Sequence, residues 1–96
     1  MDAEDRIQEK IATLLKARNL LLNQQPTDMV AVAHITEMIV DLSAQLQALT
    51  QPQRAMVLTP AEVAALQAAI AALNQSIAQS AAVSQIMASA SALLHA

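Results

Sequence analysis

Apolar residues recur three and four apart along most of the chain, and no stretch shows the period-two alternation of a half-buried strand. The first stripe is Ile7, Ile11, Leu14, Leu15, Leu21 and Leu22, which predicts a helix over about 2–22. Asp2 and the acids after it suit the positive end of its dipole, and Asn23-Gln24-Gln25-Pro26 ends it. Asn23 is the residue expected to take the left-handed conformation after the last turn. The second stripe is Val32, Ile35, Ile39, Leu42, Leu46 and Leu49, an unbroken seam that predicts a helix over about 27–50 capped by Thr27 or Asp28. Met29, Val30, Met38 and Val40 widen its apolar surface.

The third helix is announced by Thr59-Pro60-Ala61-Glu62, with Thr at the cap, Pro at the first position and Glu able to reach back to the cap amide. Its seam is Val63, Leu66, Ile70, Leu73 and Ile77. Ala61, Ala65, Ala68 and Ala72 line the opposite face. Beyond Ile77 the apolar positions rotate to Val83, Ile86, Met87, Leu93 and Leu94, a quarter-turn or more off the seam. With no Pro or Gly to mark a turn, the pattern favours one helix over about 60–94, continuous or kinked. The alternative is a split near 74–80, with Ser76 and Gln79 as a second capping pair and the tail folding back as a fourth helix. The expected fold is all-α, a single domain built as an antiparallel bundle of three helices.

Composition narrows what such a bundle can do. Among 96 residues there is no Gly, Cys, Phe, Trp or Tyr. Without Gly, the phosphate-cradling loops of nucleotide-binding proteins are ruled out, because those turns need conformations that a Cβ obstructs. Without Cys there is no thiolate nucleophile, disulfide or cysteine-zinc site. Without aromatic rings the core must come from Leu, Ile, Val, Met and Ala, so a monomeric core is thin. The net charge is -3 with only five Lys and Arg, too few to neutralise a nucleic acid backbone. The acidic start Met1-Asp2-Ala3-Glu4-Asp5 lacks the form of a secretory signal, and no apolar run approaches the roughly 20 residues that span a bilayer, polar residues interrupting the tail, so no transmembrane segment is expected. A cytoplasmic location is expected, with non-classical export left open.

Candidate chemistry is sparse. His34, Glu37 and Asp41 share one side of the second helix, but a lone imidazole with two carboxylates on a solvated face is a poor metal site. His95 sits beside the terminus, and the tail serines have no His and acid arranged around them. No catalytic residue, metal or cofactor is expected, and the chain does not read as an enzyme.

From Val63 to Ala96 there is no Asp, Glu, Lys or Arg. Exposed helices ordinarily keep a charged face, so this segment predicts burial against other helices. The expected function is a non-enzymatic interaction or assembly protein that forms a homo-oligomer, a dimer first, or binds a helical partner. Its expected interface residues are Ala61, Ala65, Ala68, Ala72, Val83, Ile86, Met87, Leu93 and Leu94. The alternative is an exported or membrane-surface assembly subunit that uses the Ala/Ser/Gln-rich tail.

Overall fold

The computed structural model describes all 96 residues and is all-helical. It has five helices: α1 (Ala3–Leu22), α2 (Met29–Ala48), α3 (Gln51–Arg54), α4 (Pro60–Ala78) and α5 (Val83–Leu94). The three-helix expectation is therefore corrected in two places. A short helix lies between the second and third, and the expected long third helix is split.

Helix α1 begins with a reciprocal cap, in which the Asp5 amide donates to Asp2 Oδ1 and the Asp2 amide donates to Asp5 Oδ2. It ends without a left-handed residue. Asn23 is right-handed, its amide donates back into the last turn, and its Nδ2 donates to the Asn19 carbonyl at 2.9 Å. The buried face runs through Ile7, Lys10, Leu14, Ala17 and Leu21, alternating three and four apart. Leu15 and Leu22, read as part of the stripe, are exposed.

Helix α2 starts at Asp28, whose carboxylate accepts from the Ala31 amide, and buries Val32, Ile35 and Leu42 of its seam together with Met38, while Ile39, Leu46 and Leu49 of the seam are half-buried. It stops at Ala48, because Thr50 begins a new capping box with Gln53 that turns the chain into α3. Arg54 then folds back onto the end of α2. Its Nη2 donates to the Leu46 carbonyl at 2.9 Å, its Nε to the Leu49 carbonyl at 3.3 Å, and its Nη1 pairs with Glu4 of α1 at 3.3 Å. A guanidinium at a helix C-terminus satisfies carbonyls that have no partner inside the helix. An isolated bridge between Asp2 and Val57 closes the same end, with the Ala3 amide donating to the Met56 carbonyl and the Leu58 amide to the Met1 carbonyl.

Helix α4 opens with the expected box between Thr59 and Glu62 and buries Leu66 and Leu73. It ends in a Schellman turn. The Ala81 amide donates to the Ser76 carbonyl, the Ser80 amide donates to the Ile77 carbonyl, and Ser80 sits at φ 47 in the left-handed region. Helix α5 then folds back along α4. Ala82 precedes it with no side-chain cap, so the expected capping pair of Ser76 and Gln79 is not used. Ser76 is instead buried, with its hydroxyl 3.3 Å from that of Ser89 on α5.

The four long helices alternate in direction. The starts of α1 and α4 lie side by side, joined by Arg6 Nη1 to Glu62 Oε2 at 3.2 Å, and the end of α5 reaches α1 where Lys10 Nζ donates to the Leu94 carbonyl at 3.2 Å. Helix α1 packs against α2, α4 and α5. At this hub Leu14, Ala17 and Leu21 meet Ile35, Leu42, Leu66, Leu73, Ile86, Ala90 and Leu93, every one of them almost wholly enclosed.

Two consequences can be measured. Burial, and then the nearby Arg6 charge, lower the pKa of the Lys10 ammonium, which still serves the last turn of α5. Lys10→Ala removes both the buried stem and that donor, and should cost about 2 kcal/mol in urea unfolding. Hydrogen exchange should show the lost protection concentrated in α5, at the amides of residues 91–96.

The second concerns Glu62, whose pKa is lowered by the Thr59 backbone amide, then the Thr59 side chain, then Arg6. A carboxylate with a depressed folded pKa contributes stability above its ordinary value near 4.5, and that contribution disappears as pH falls through the folded value. Glu62→Gln should remove this dependence. Urea midpoints of wild type and Glu62→Gln should converge as pH falls from about 7 to about 3, with wild type higher at neutral pH.

Candidate interaction surface

The Cα atoms span 45 × 24 × 15 Å, two helices thick in the thinnest direction, so each long helix keeps a broad face open. Only 18 of the 96 residues are buried, which makes those open faces the larger part of the molecule.

On α4 the open face is alanine. Ala61, Ala65, Ala68 and Ala72 are all exposed, and Ala64 and Ala71 beside them are exposed too. The neighbouring polar residues on this face are Gln67 and Gln75, neither of them charged. The α5 residues of the expected interface divide. Ile86 and Leu93 are wholly enclosed in the chain's own core, while Val83, Met87 and Leu94 are half-buried against it. The break at residues 79–82 accounts for this division, since folding α5 back turns its apolar side onto α1, α2 and α4.

Helix α2 offers a second open face, with Met29 and Val30 near its start and Val40 further along; Val30 is 81% exposed. Met29, Val30, Ala33, His34 and Glu37 enclose a shallow depression there, formed by one helix without an opposing wall. Met38, which widens the apolar surface of α2 beyond its seam, is buried, whereas Met29, Val30 and Val40 are not. By length and composition α2 is apolar enough to cross a membrane, a property that core helices share. Glu37 and Asp41 sit exposed midway along it. A third apolar patch lies at the base, where the bridge holds Met1 beside Met56 and Val57, all three exposed.

No group of three His, Asp or Glu side chains is close enough to hold a metal ion. His34 is exposed on α2, His95 is exposed after α5, and the hydroxyl of buried Ser76 faces that of half-buried Ser89.

Four of the five basic side chains are engaged within the fold: Arg6 on Glu62, Lys10 on the Leu94 carbonyl, Arg18 Nε on Thr36 Oγ1 at 2.9 Å, and Arg54 on the end of α2. Lys16 alone has no such partner. The sequence pattern places Arg18 at the edge of the stripe, but it does not reveal Lys10 or Arg54, which look like ordinary surface cations. The three-four spacing of Lys10 between Ile7 and Leu14 is the signal that would have found the first.

Comparison of the chain with protein-family models, with curated proteins and with solved structures finds no match.

Proposed function

We propose that this protein is a non-enzymatic helical assembly module, which associates through the outward face of α4 with a second copy of itself, forming a dimer, or with a helix of another protein. The observation that carries this reading is that Ala61, Ala65, Ala68 and Ala72 are exposed on a helix that has no charged residue after Glu62. Small side chains let two helix backbones approach closely, and a face without charge has no ion to desolvate when it is covered. Val83, Met87 and Leu94 on α5 are half-buried against the core and keep part of their apolar area open.

A second reading, a membrane-surface or exported assembly subunit, is favoured by Met29, Val30 and Val40 standing exposed on α2. Glu37 and Asp41 beside them oppose it, because interfacial helices ordinarily present Lys or Arg to the headgroups. Flotation with anionic vesicles separates the two readings: the assembly module stays at the bottom of the gradient.

Ala68→Glu places a carboxylate in the middle of the alanine face without touching Leu66, Ile70 or Leu73. It should weaken self-association by about tenfold or more while circular dichroism stays unchanged. With no Trp or Tyr the protein has almost no near-ultraviolet absorbance, so mass is followed by light scattering with refractive-index detection. A variant of unchanged oligomer mass would show that the alanines only face solvent.

A further inference from the structure

Between α4 and α5 the chain makes a turn that its residues are poorly chosen for. A Schellman turn places one residue in the left-handed region, ordinarily glycine, because a Cβ there crowds the backbone. Here the position is held by Ser80 at φ 47, the one residue in the chain with positive φ. The helix that follows has Ala82 at its cap position and so no side-chain cap, whereas α1, α2, α3 and α4 each begin with one. Gln79-Ser80-Ala81-Ala82 contains neither Pro nor Gly, and every residue in it is tolerated inside a helix.

We infer that α5 is an exchangeable helix: residues 79–82 straighten, α4 and α5 run as one helix from Pro60 to Leu94, and α5 docks in the groove of a second copy. Straightening returns Ser80 to the right-handed region and replaces the two turn bonds with ordinary helical ones. It also supplies the first turn of α5 with the carbonyls of α4, which its missing cap does not. The contacts of α5 are then remade unchanged across the pair. Ile86, Ala90 and Leu93 enter the core of the second copy, the Leu94 carbonyl accepts from Lys10 of the second copy, and Ser89 meets Ser76 of the second copy. Nothing gained on folding is lost, and two strained hinges are relieved, which is the condition under which exchange of an identical element forms a dimer.

The new junction also suits close passage. The joined helix is about 50 Å long, and two of them cross near their hinges. The residues exposed there, Ala78, Gln79, Ser80 and Ala82, are small or uncharged, and no charge lies anywhere from Val63 to Ala96 to oppose the approach. This dimer is separate from one formed by the alanine face of α4, in which each subunit keeps its own α5.

The test uses the Ser76 and Ser89 pair. The chain has no cysteine, so Ser76→Cys with Ser89→Cys introduces the only two thiols. The dimer fraction is isolated, oxidised and run on a denaturing gel without reductant. Exchange links one copy to the other and gives a covalent dimer. Subunits that keep their own α5 give an internal disulfide and run as monomers, which overturns the inference while leaving the alanine-face reading intact. In parallel, Ser80→Gly relaxes the turn and should weaken the dimer by about tenfold or more, whereas Ser80→Leu, disfavoured at positive φ and favoured in a helix, should strengthen it. Dissociation constants unchanged in both variants, or a wild type that stays monomeric at high micromolar concentration, would overturn it as well.

Discussion

Everything in this bundle is held through α1. It packs against all four of the other helices, and its side chains provide the directional ties as well as the apolar seam. Arg6 donates to α4, Lys10 to the end of α5 and Arg18 to α2, so one helix fixes the position of three others. Two of these ties need a buried or half-buried cation, which in a larger core would be a questionable stabiliser. Here the aliphatic stem of Lys10 fills a place in the seam, and its head satisfies a carbonyl that the end of α5 leaves open. Losing α1 would leave the remaining helices with little but the α4–α5 hairpin.

The absence of aromatic rings explains why ties of this kind are needed. Aliphatic side chains each bury less area than a ring, so a core of fourteen apolar residues gives positional definition at the centre and little at the ends. The ends are held by hydrogen bonds. Reciprocal caps at Asp2, Thr50 and Thr59, the guanidinium of Arg54 on Leu46 and Leu49, and the bridge at Val57 all lie at the end where α1 and α4 begin. The opposite end has the Asp28 cap, the strained Ser80 and the uncapped start of α5. One end of the molecule is stapled and the other is held mainly by packing.

Much of this was legible in the sequence. The helical class, the box at Thr59 and Glu62 and the seam through Val32, Ile35 and Leu42 follow from spacing and capping chemistry alone, because each is local. What spacing could not reveal depends on tertiary contacts or on an unusual residue in a usual role. Lys10 stands at the spacing of the seam, but its charge argues for the surface, since only a neighbour arriving from the far end of the chain makes its burial tolerable. The fold-back near Ser80 was read only as the alternative to a continuous helix, because the residue that normally signals such a turn is missing. That single gap displaced the reading of the candidate surface, making Ile86 and Leu93 seem outward on a continuous helix when the fold-back turns them inward. The exposure of the alanines on α4 does not depend on that turn, because they lie before it.

The placement of the two ends of the chain has a mechanical consequence. Met1 is held at the base by the bridge to Leu58, and the last turn of α5 comes to rest on Lys10, so both ends emerge from the same end of an elongated molecule. A force drawing them apart acts across the helices and not along them. It loads the Lys10 to Leu94 contact and the Asp2 to Val57 bridge one after another, as a zip opens, and never the whole seam of α1 at once. A tether attached at both ends would therefore release α5 under modest tension, while the same force applied between Met1 and the Asn23 turn would pull along the axis of α1 and stretch its own backbone hydrogen bonds.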